Sequence, residues 1–195
     1  MSKFWLFSAL LFLFACGGNK EEATYEPKEI PVMGKEPVAP FGFINQNGDT
    51  VTETDVNGKI WVADFFFTSC PTICPKMKTE MLRVWETFKD ENRVMILSHT
   101  IDPEHDTREV LKEFADRLEI TGTRWQFLTG NKDSIYAMAE RYMISAEEDP
   151  SAPGGFAHSG AFVLLDGERR IRGYYDGTNP QAVDTLMADM RFLLK

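Results

Sequence analysis

The sequence predicts one α/β domain, a mixed sheet with helices packed on both faces, behind a short N-terminal extension. Three observations predict it. Residues 60–67 (IWVADFFF) and 93–98 (RVMILS) are nearly unbroken apolar runs, the mark of strands buried on both faces. Apolar residues at helical spacing follow each of them. Nearer the C-terminus, two short apolar runs flank Asp166-Gly167, which reads as a β-hairpin. The composition agrees: 43% of the 195 residues are apolar and 26% charged, too apolar for a disordered chain. A net charge of −9 argues against nucleic acid as a partner, because phosphate binding needs clustered Lys and Arg.

Taken in order, the chain opens on Lys3 and an uncharged run of twelve residues, 4–15. A membrane-spanning helix takes about 20 residues, so this run fits the core of a signal peptide instead. With Cys16 after it, Leu13-Phe14-Ala15-Cys16 resembles a bacterial lipoprotein signal. The resemblance implies that residues 1–15 are removed and that Cys16 is lipidated as the mature N-terminus. Its acyl chains then hold the protein on a membrane of the cell envelope, facing the periplasm or another extracytoplasmic space. Residues 16–37 are expected to be this cysteine and a disordered charged tether. Lys20, Glu21, Glu22, Glu26, Lys28, Glu29, Lys35 and Glu36 alternate there with Pro27, Pro31 and Pro37, without a hydrophobic period.

The domain proper occupies residues 38–195. Residues 41–44 form a short strand that ends in the turn signal Asn45-Gln46-Asn47-Gly48-Asp49. After the strand at 60–67, Pro71 and Pro75 suit the opening of a helix whose apolar face is Met77, Met81, Trp85 and Phe88. The strand at 93–98 leads to Asp106-Thr107, a cap for a helix with Val110, Leu111, Phe114 and Leu118 on one stripe. Residues 125–128 form a third short strand, and Asn131 caps a helix carrying Ile135, Met138, Ala139 and Tyr142. A hairpin of 160–165 and 171–175 follows, and Asn179-Pro180 starts a last helix that buries Val183, Leu186, Met187, Met190 and Leu194. Met77, Met81, Met138, Met187 and Met190 sit on these stripes beside Leu and Phe, so they read as core and not as thioether ligands. The order of elements is that of thioredoxin-like folds.

The chemistry gathers at three residues. Cys70-Pro71-Thr72-Ile73-Cys74 follows a buried strand and opens a helix, and a helix N-terminus stabilises a thiolate. A spacing of four puts both sulfurs on one helix face, close enough to bind one ion or close a disulfide. The C-terminal ends of strands are also where open α/β sheets keep their sites. A structural disulfide over so small a loop would add little stability, so the pair reads as a redox-active or metal-binding dithiol. His158 stands far along the chain, after a Pro/Gly-rich loop and before a buried strand. Two thiolates and one imidazole suit Cu(I), Cu(II) or Zn(II). His99 and His105 read as solvated or hydrogen-bonded residues, and Asp106 as part of a turn and helix cap. Asp102 divides between a turn residue and a group that orients the metal loop or meets a partner.

Together these residues resemble the SCO/SenC family. Phe65-Phe66-Phe67-Thr68-Ser69-Cys70-Pro71-Thr72-Ile73-Cys74-Pro75 is similar to its apolar strand followed by CPxxCP. Asp102-Pro103-Glu104-His105-Asp106-Thr107 is similar to its DPxxDT segment, and His158-Ser159 to its HS motif before a strand. The likeness spans residues 38–195. It implies a thioredoxin-like fold, copper held by Cys70, Cys74 and His158, and assembly of the copper centre of cytochrome c oxidase. Two positions depart from the pattern: many members carry Asp where this chain has Thr72, and Pro where it has Arg108. Neither is a ligand.

The expected function is that of a membrane-anchored copper chaperone. Its partners are then the apo copper-site subunit of the oxidase, a thiol reductant that keeps Cys70 and Cys74 reduced, and the membrane. A thiol–disulfide oxidoreductase acting on the cysteines of an apo copper site is the second reading, since a dithiol must be reduced before it can ligate. Spacing separates the two. Dedicated oxidoreductases of this fold use CxxC, whereas three intervening residues and a later histidine favour ligation. A peroxide-reducing enzyme has less support, because no Arg lies beside the thiols in sequence.

Overall fold

In the computed structural model, which describes residues 25–34 and 36–195, fourteen elements follow one another. They are β1 (Gly42–Asn45), β2 (Thr50–Thr52), α1 (Glu53–Val56), β3 (Ile60–Phe66), α2 (Cys74–Phe88), β4 (Val94–Thr100) and α3 (Arg108–Arg117). Then come β5 (Trp125–Thr129), α4 (Lys132–Arg141), β6 (Ala146–Glu148), β7 (Phe156–His158), β8 (Ala161–Leu165), β9 (Ile171–Asp176) and α5 (Pro180–Leu193). The segment expected as a signal peptide, Cys16 and the first part of the expected tether lie outside the described residues.

Seven strands make one mixed sheet in the order β2-β1-β5-β4-β3-β8-β9, with β6 and β7 as a separate two-stranded sheet. The central pairs β3–β4 and β4–β5 are parallel, and β1–β5, β3–β8 and β8–β9 are antiparallel. Side chains alternate across a strand, and here both faces are buried. From β3, Trp61, Ala63 and Phe65 enter one layer with Val56 of α1 and Ile135, Met138 and Ala139 of α4. Ile60, Val62 and Phe66 enter the other with α2, α3 and α5. This two-sided burial is why β3 and β4 read as unbroken apolar runs. The methionines of the helix stripes are core residues, as expected: Met77, Met81, Met138, Met187 and Met190 are all buried.

The helix starts follow their capping chemistry. Asn131 accepts from Ser134 N–H, and Asn179 accepts from Gln181 and Ala182 N–H with Pro180 in the first turn. In Asp106-Thr107 the cap is Thr107, which accepts from Val110 N–H. Helix α2 begins at Cys74 and not at Cys70: Ile73 is its N-cap and Pro75 lies in its first turn. The turn β2–α1 is held by a capping box between Thr52 and Asp55. Part of the stretch expected as tether packs on the domain. Ile30 is buried, Met33 bridges to Ile171, and the Arg172 guanidinium donates to the Ile30 and Pro31 carbonyls.

Candidate metal centre

The strand β3 ends where the dithiol begins. Cys70 N–H donates to the Phe67 carbonyl at 3.2 Å, which turns the chain back over the sheet end. Cys70 therefore lies in the loop before α2, and only Cys74 is helical. The two sulfurs do not share a helix face; they meet because the loop curls over the helix N-terminus. His158 arrives from the other side as the last residue of β7. Its Nδ1 lies 3.1 Å from the Ser159 carbonyl and its Nε2 lies 3.4 Å from Cys74 Sγ. One donor atom from each of Cys70, Cys74 and His158 lies within 4.8 Å of the others. Bonds of about 2.0–2.3 Å would place three donors about 3.5–4 Å apart, so a small contraction closes them on one ion. The donor set fits a soft or borderline cation.

The electrostatics divide the two thiols. Burial pushes the Cys70 thiol up, but hydrogen bonds from Cys74 and from the Thr72 and Cys74 backbone outweigh it and leave its pKa below the ordinary value. Cys74 is more deeply buried, and burial together with its hydrogen bond to Cys70 raises it well above the ordinary range. Burial lowers His158, partly offset by the Ser159 carbonyl. The imidazole is thus neutral at neutral pH, with Nδ1–H donating outward and Nε2 free to ligate, the arrangement in which an outer hydrogen bond orients a histidine ligand.

Two residues under the site were not singled out as functional from sequence or were misread. Asp64, inside β3, is buried beside a cavity of about 30 Å³ lined also by Ser98, Cys74, Met77 and Lys78. It accepts from Ser98 Oγ at 2.5 Å, and burial pushes its carboxyl up to about 7. An acidic residue inside an apolar strand run was the available signal. Asp106 is more than a turn residue. Its fully buried carboxylate accepts from Thr68 N–H at 3.0 Å, Thr68 Oγ1 at 2.5 Å and Thr100 Oγ1 at 2.6 Å, tying the chain before Cys70 to the end of β4.

The remaining candidates separate cleanly. Asp102 is half-buried and accepts from His105 N–H at 3.4 Å, a turn contact. His105 is exposed and pairs with Asp106 at 3.0 Å. His99 corrects the expectation: it is neither solvated nor hydrogen-bonded. It is fully buried among Phe43, Phe65 and Tyr142, and among the described residues neither ring nitrogen has a partner, because it points into the core layer on the opposite face of the sheet from Asp64.

Known proteins share the fold. A family model described as SCO1/SenC matches residues 33–195. The chain is 34% identical over 185 residues to the SCO1 protein homolog of Bacillus subtilis (strain 168), covering 93% of this chain and 90% of that relative. It is similar to the solved structure of BsSco, described as a Sco-family cytochrome c oxidase assembly protein with a disulfide switch. The TM-score is 0.71 with 31% identity over 86% of this chain and 96% of that one. The fold also matches that of Arabidopsis thaliana ScoI, solved with copper bound, at a TM-score of 0.67 and 24% identity over 80% of this chain and 99% of that one.

Proposed function

The chain belongs to the SCO1/SenC family, and from that premise we propose that it is a copper chaperone of the cell envelope. It binds copper as cargo through Cys70, Cys74 and His158 and hands it to the apo copper-site subunit of cytochrome c oxidase. The observation that carries this is the 3.4 Å approach of His158 Nε2 to Cys74 Sγ within a three-donor cluster. A histidine so placed has no part in plain dithiol exchange, whereas ligand exchange on a copper ion uses all three donors. The anchor belongs to the same proposal. Cys16 after a short apolar run fits a lipoprotein, which would keep the domain beside a membrane-bound recipient. Anaerobic copper titration of the reduced protein tests the reading: one equivalent held, with sulfur and nitrogen ligation by spectroscopy, supports it. Saturation without nitrogen ligation sinks it.

A second reading rests on the unequal thiols. In a thiol–disulfide oxidoreductase, the Cys70 thiolate attacks a partner's disulfide and releases one partner thiolate. Cys74, deprotonated, then attacks Cys70 Sγ and releases the second. Two electrons pass to the partner, Cys70 and Cys74 end as a disulfide, and a thiol reductant restores them. The lowered Cys70 and the raised, more buried Cys74 have the polarity of an attacking and a resolving thiol. Reduction of a disulfide-bonded copper-site domain by the copper-free protein, followed by acid-quenched mass spectrometry, separates this activity from delivery.

A further inference from the structure

His158 reaches the dithiol on an arm. Among the described residues, strands β6 and β7 pair only with each other, Ala146 opposite His158 and Glu148 opposite Phe156, and stand apart from the main sheet. Their connection folds on itself, with Asp149 N–H donating to the Gly155 carbonyl and Gly155 N–H to the Ala152 carbonyl, each at 2.9 Å. The tip of this arm sits hard against the cysteine loop. A Cβ on Gly154 would stand 2.8 Å from Cε2 and 2.9 Å from Cζ of Phe67, and 3.3 Å from Cδ of Pro71. The first two are closer than real Cβ atoms come. The Phe67 ring also packs against Phe156 and His158, with ring centroids 5.2 and 5.9 Å apart.

Resting on the assignment of Cys70, Cys74 and His158 as copper ligands, we propose that Gly154 is a positioning residue for His158. With no side chain, it lets the arm seat on Phe67 and on Pro71, the residue that follows Cys70. Arm and cysteine loop thereby share one interface, and the imidazole is delivered to the sulfurs when that interface is closed. A side chain at 154 holds the tip off the ring, carries His158 away and leaves a two-cysteine site.

Gly155 supplies the control. Its φ is +86° against +85° for Gly154, so an alanine is strained in the left-handed region at either position. Among the described residues, nothing lies within 4 Å of a Cβ on Gly155. Only the Gly154 variant adds the contact.

The test uses the full chain as wild type, Gly154→Ala and Gly155→Ala, loaded with Cu(II). It reads nitrogen hyperfine coupling by electron paramagnetic resonance, copper retention against a chelator, and thiol alkylation of the copper-free form. Gly154→Ala should lose the coupling and hold copper about 10- to 100-fold more weakly, the range for removing a group that orients a ligand. Gly155→Ala should keep both, and all three proteins should alkylate at two domain thiols. Equal losses in the two variants, or none in Gly154→Ala, overturn the proposal. If Gly154→Ala melts well below Gly155→Ala, Phe67→Leu tests the contact from its other side by removing Cε2 and Cζ. Loss of coupling there supports the latch, and full coupling overturns it. A wild type without nitrogen coupling sinks the ligand assignment, and this inference with it.

Discussion

The Nε2 atom of His158 lies 3.4 Å from Cys74 Sγ across 84 residues of sequence, and the ring has no freedom to choose its other nitrogen. Nδ1 is committed to the Ser159 carbonyl at 3.1 Å. His158→Ala should therefore leave the dithiol intact and remove one of the three proposed copper ligands. Cu(II), which favours nitrogen over a bare dithiolate, should lose its nitrogen coupling and bind more weakly, while oxidation of Cys70 and Cys74 to a disulfide proceeds as before. A variant that keeps copper as tightly as wild type but fails to reduce a disulfide substrate would move first place to the oxidoreductase reading.

The two thiols should react in a fixed order. Because Cys70 is lowered and Cys74 raised, Cys70 is the more readily ionised of the two thiols. Limited iodoacetamide treatment of the reduced, copper-free protein should modify Cys70 first, by more than about tenfold in rate, since each pH unit between pKa values is tenfold in thiolate. Peptide mapping at short times checks this. Equal labelling would mean that the loop does not hold the thiols in unequal surroundings.

Asp106 should matter to both stability and copper. Asp106→Asn keeps the volume but turns an NH₂ group toward the Thr68 and Thr100 donors that now meet a carboxylate. Hydrogen bonds to a charged group contribute about 1.5–3 kcal/mol each, so a loss of roughly 3 kcal/mol in urea unfolding is expected. The loop before Cys70 loses its tie to β4, so copper retention should fall as well. An unchanged urea midpoint would show that the buried carboxylate is not what fixes this loop.

How far the sequence carried the fold depends on where each residue's environment is set. Long elements with a hydrophobic period were legible: β3, α2, β4, α4 and α5 lie where their runs and stripes placed them. That Cys70, Cys74 and His158 would be candidate donors was legible too, because they are few, chemically distinctive residues in recognisable motifs, and the structure brings the three together. The arm that brings His158 in was not. Residues 146–158 contain Pro150, Pro153, Gly154 and Gly155 and show no alternation, since β6 and β7 pair with each other and bury little. Nor was the fate of His99 or Asp64. Both faces of β3 and β4 are covered, so no period of two remained to tell which side chain enters which layer. Asp106 looked like a cap because Asp beside Thr is how helices start; its burial depends on Thr68 folding back onto it across 38 residues.

Asp64 and His99 set up opposed dependences of stability on pH. Burial, offset only in part by Ser98, raises Asp64 from 3.8 to about 7 in a cavity that it shares with Cys74 and Lys78. Its contribution is fully present below pH 3.8 and is lost as pH rises toward 7, because the folded state keeps a proton that the unfolded chain releases. The gap corresponds to about 4 kcal/mol. Burial lowers His99 from 6.5 to about 3 among Phe43, Phe65 and Tyr142. Its contribution is fully present above pH 6.5 and is lost as pH falls toward 3, because the unfolded chain takes up a proton that the folded state refuses; that gap corresponds to about 5 kcal/mol. Between pH 5 and 6 the two slopes have opposite signs and similar size, and in wild type they largely cancel. Asp64→Asn removes the falling slope, so relative to wild type its urea-unfolding free energy should rise with pH by roughly 1 kcal/mol per pH unit in that window. His99→Phe, which keeps an aromatic ring in the box, should show a relative fall of the same size. Urea titrations at pH 5.0, 5.5 and 6.0 measure both. Curves for the two variants that run parallel to wild type would show that neither group is held in its disfavoured state by the fold.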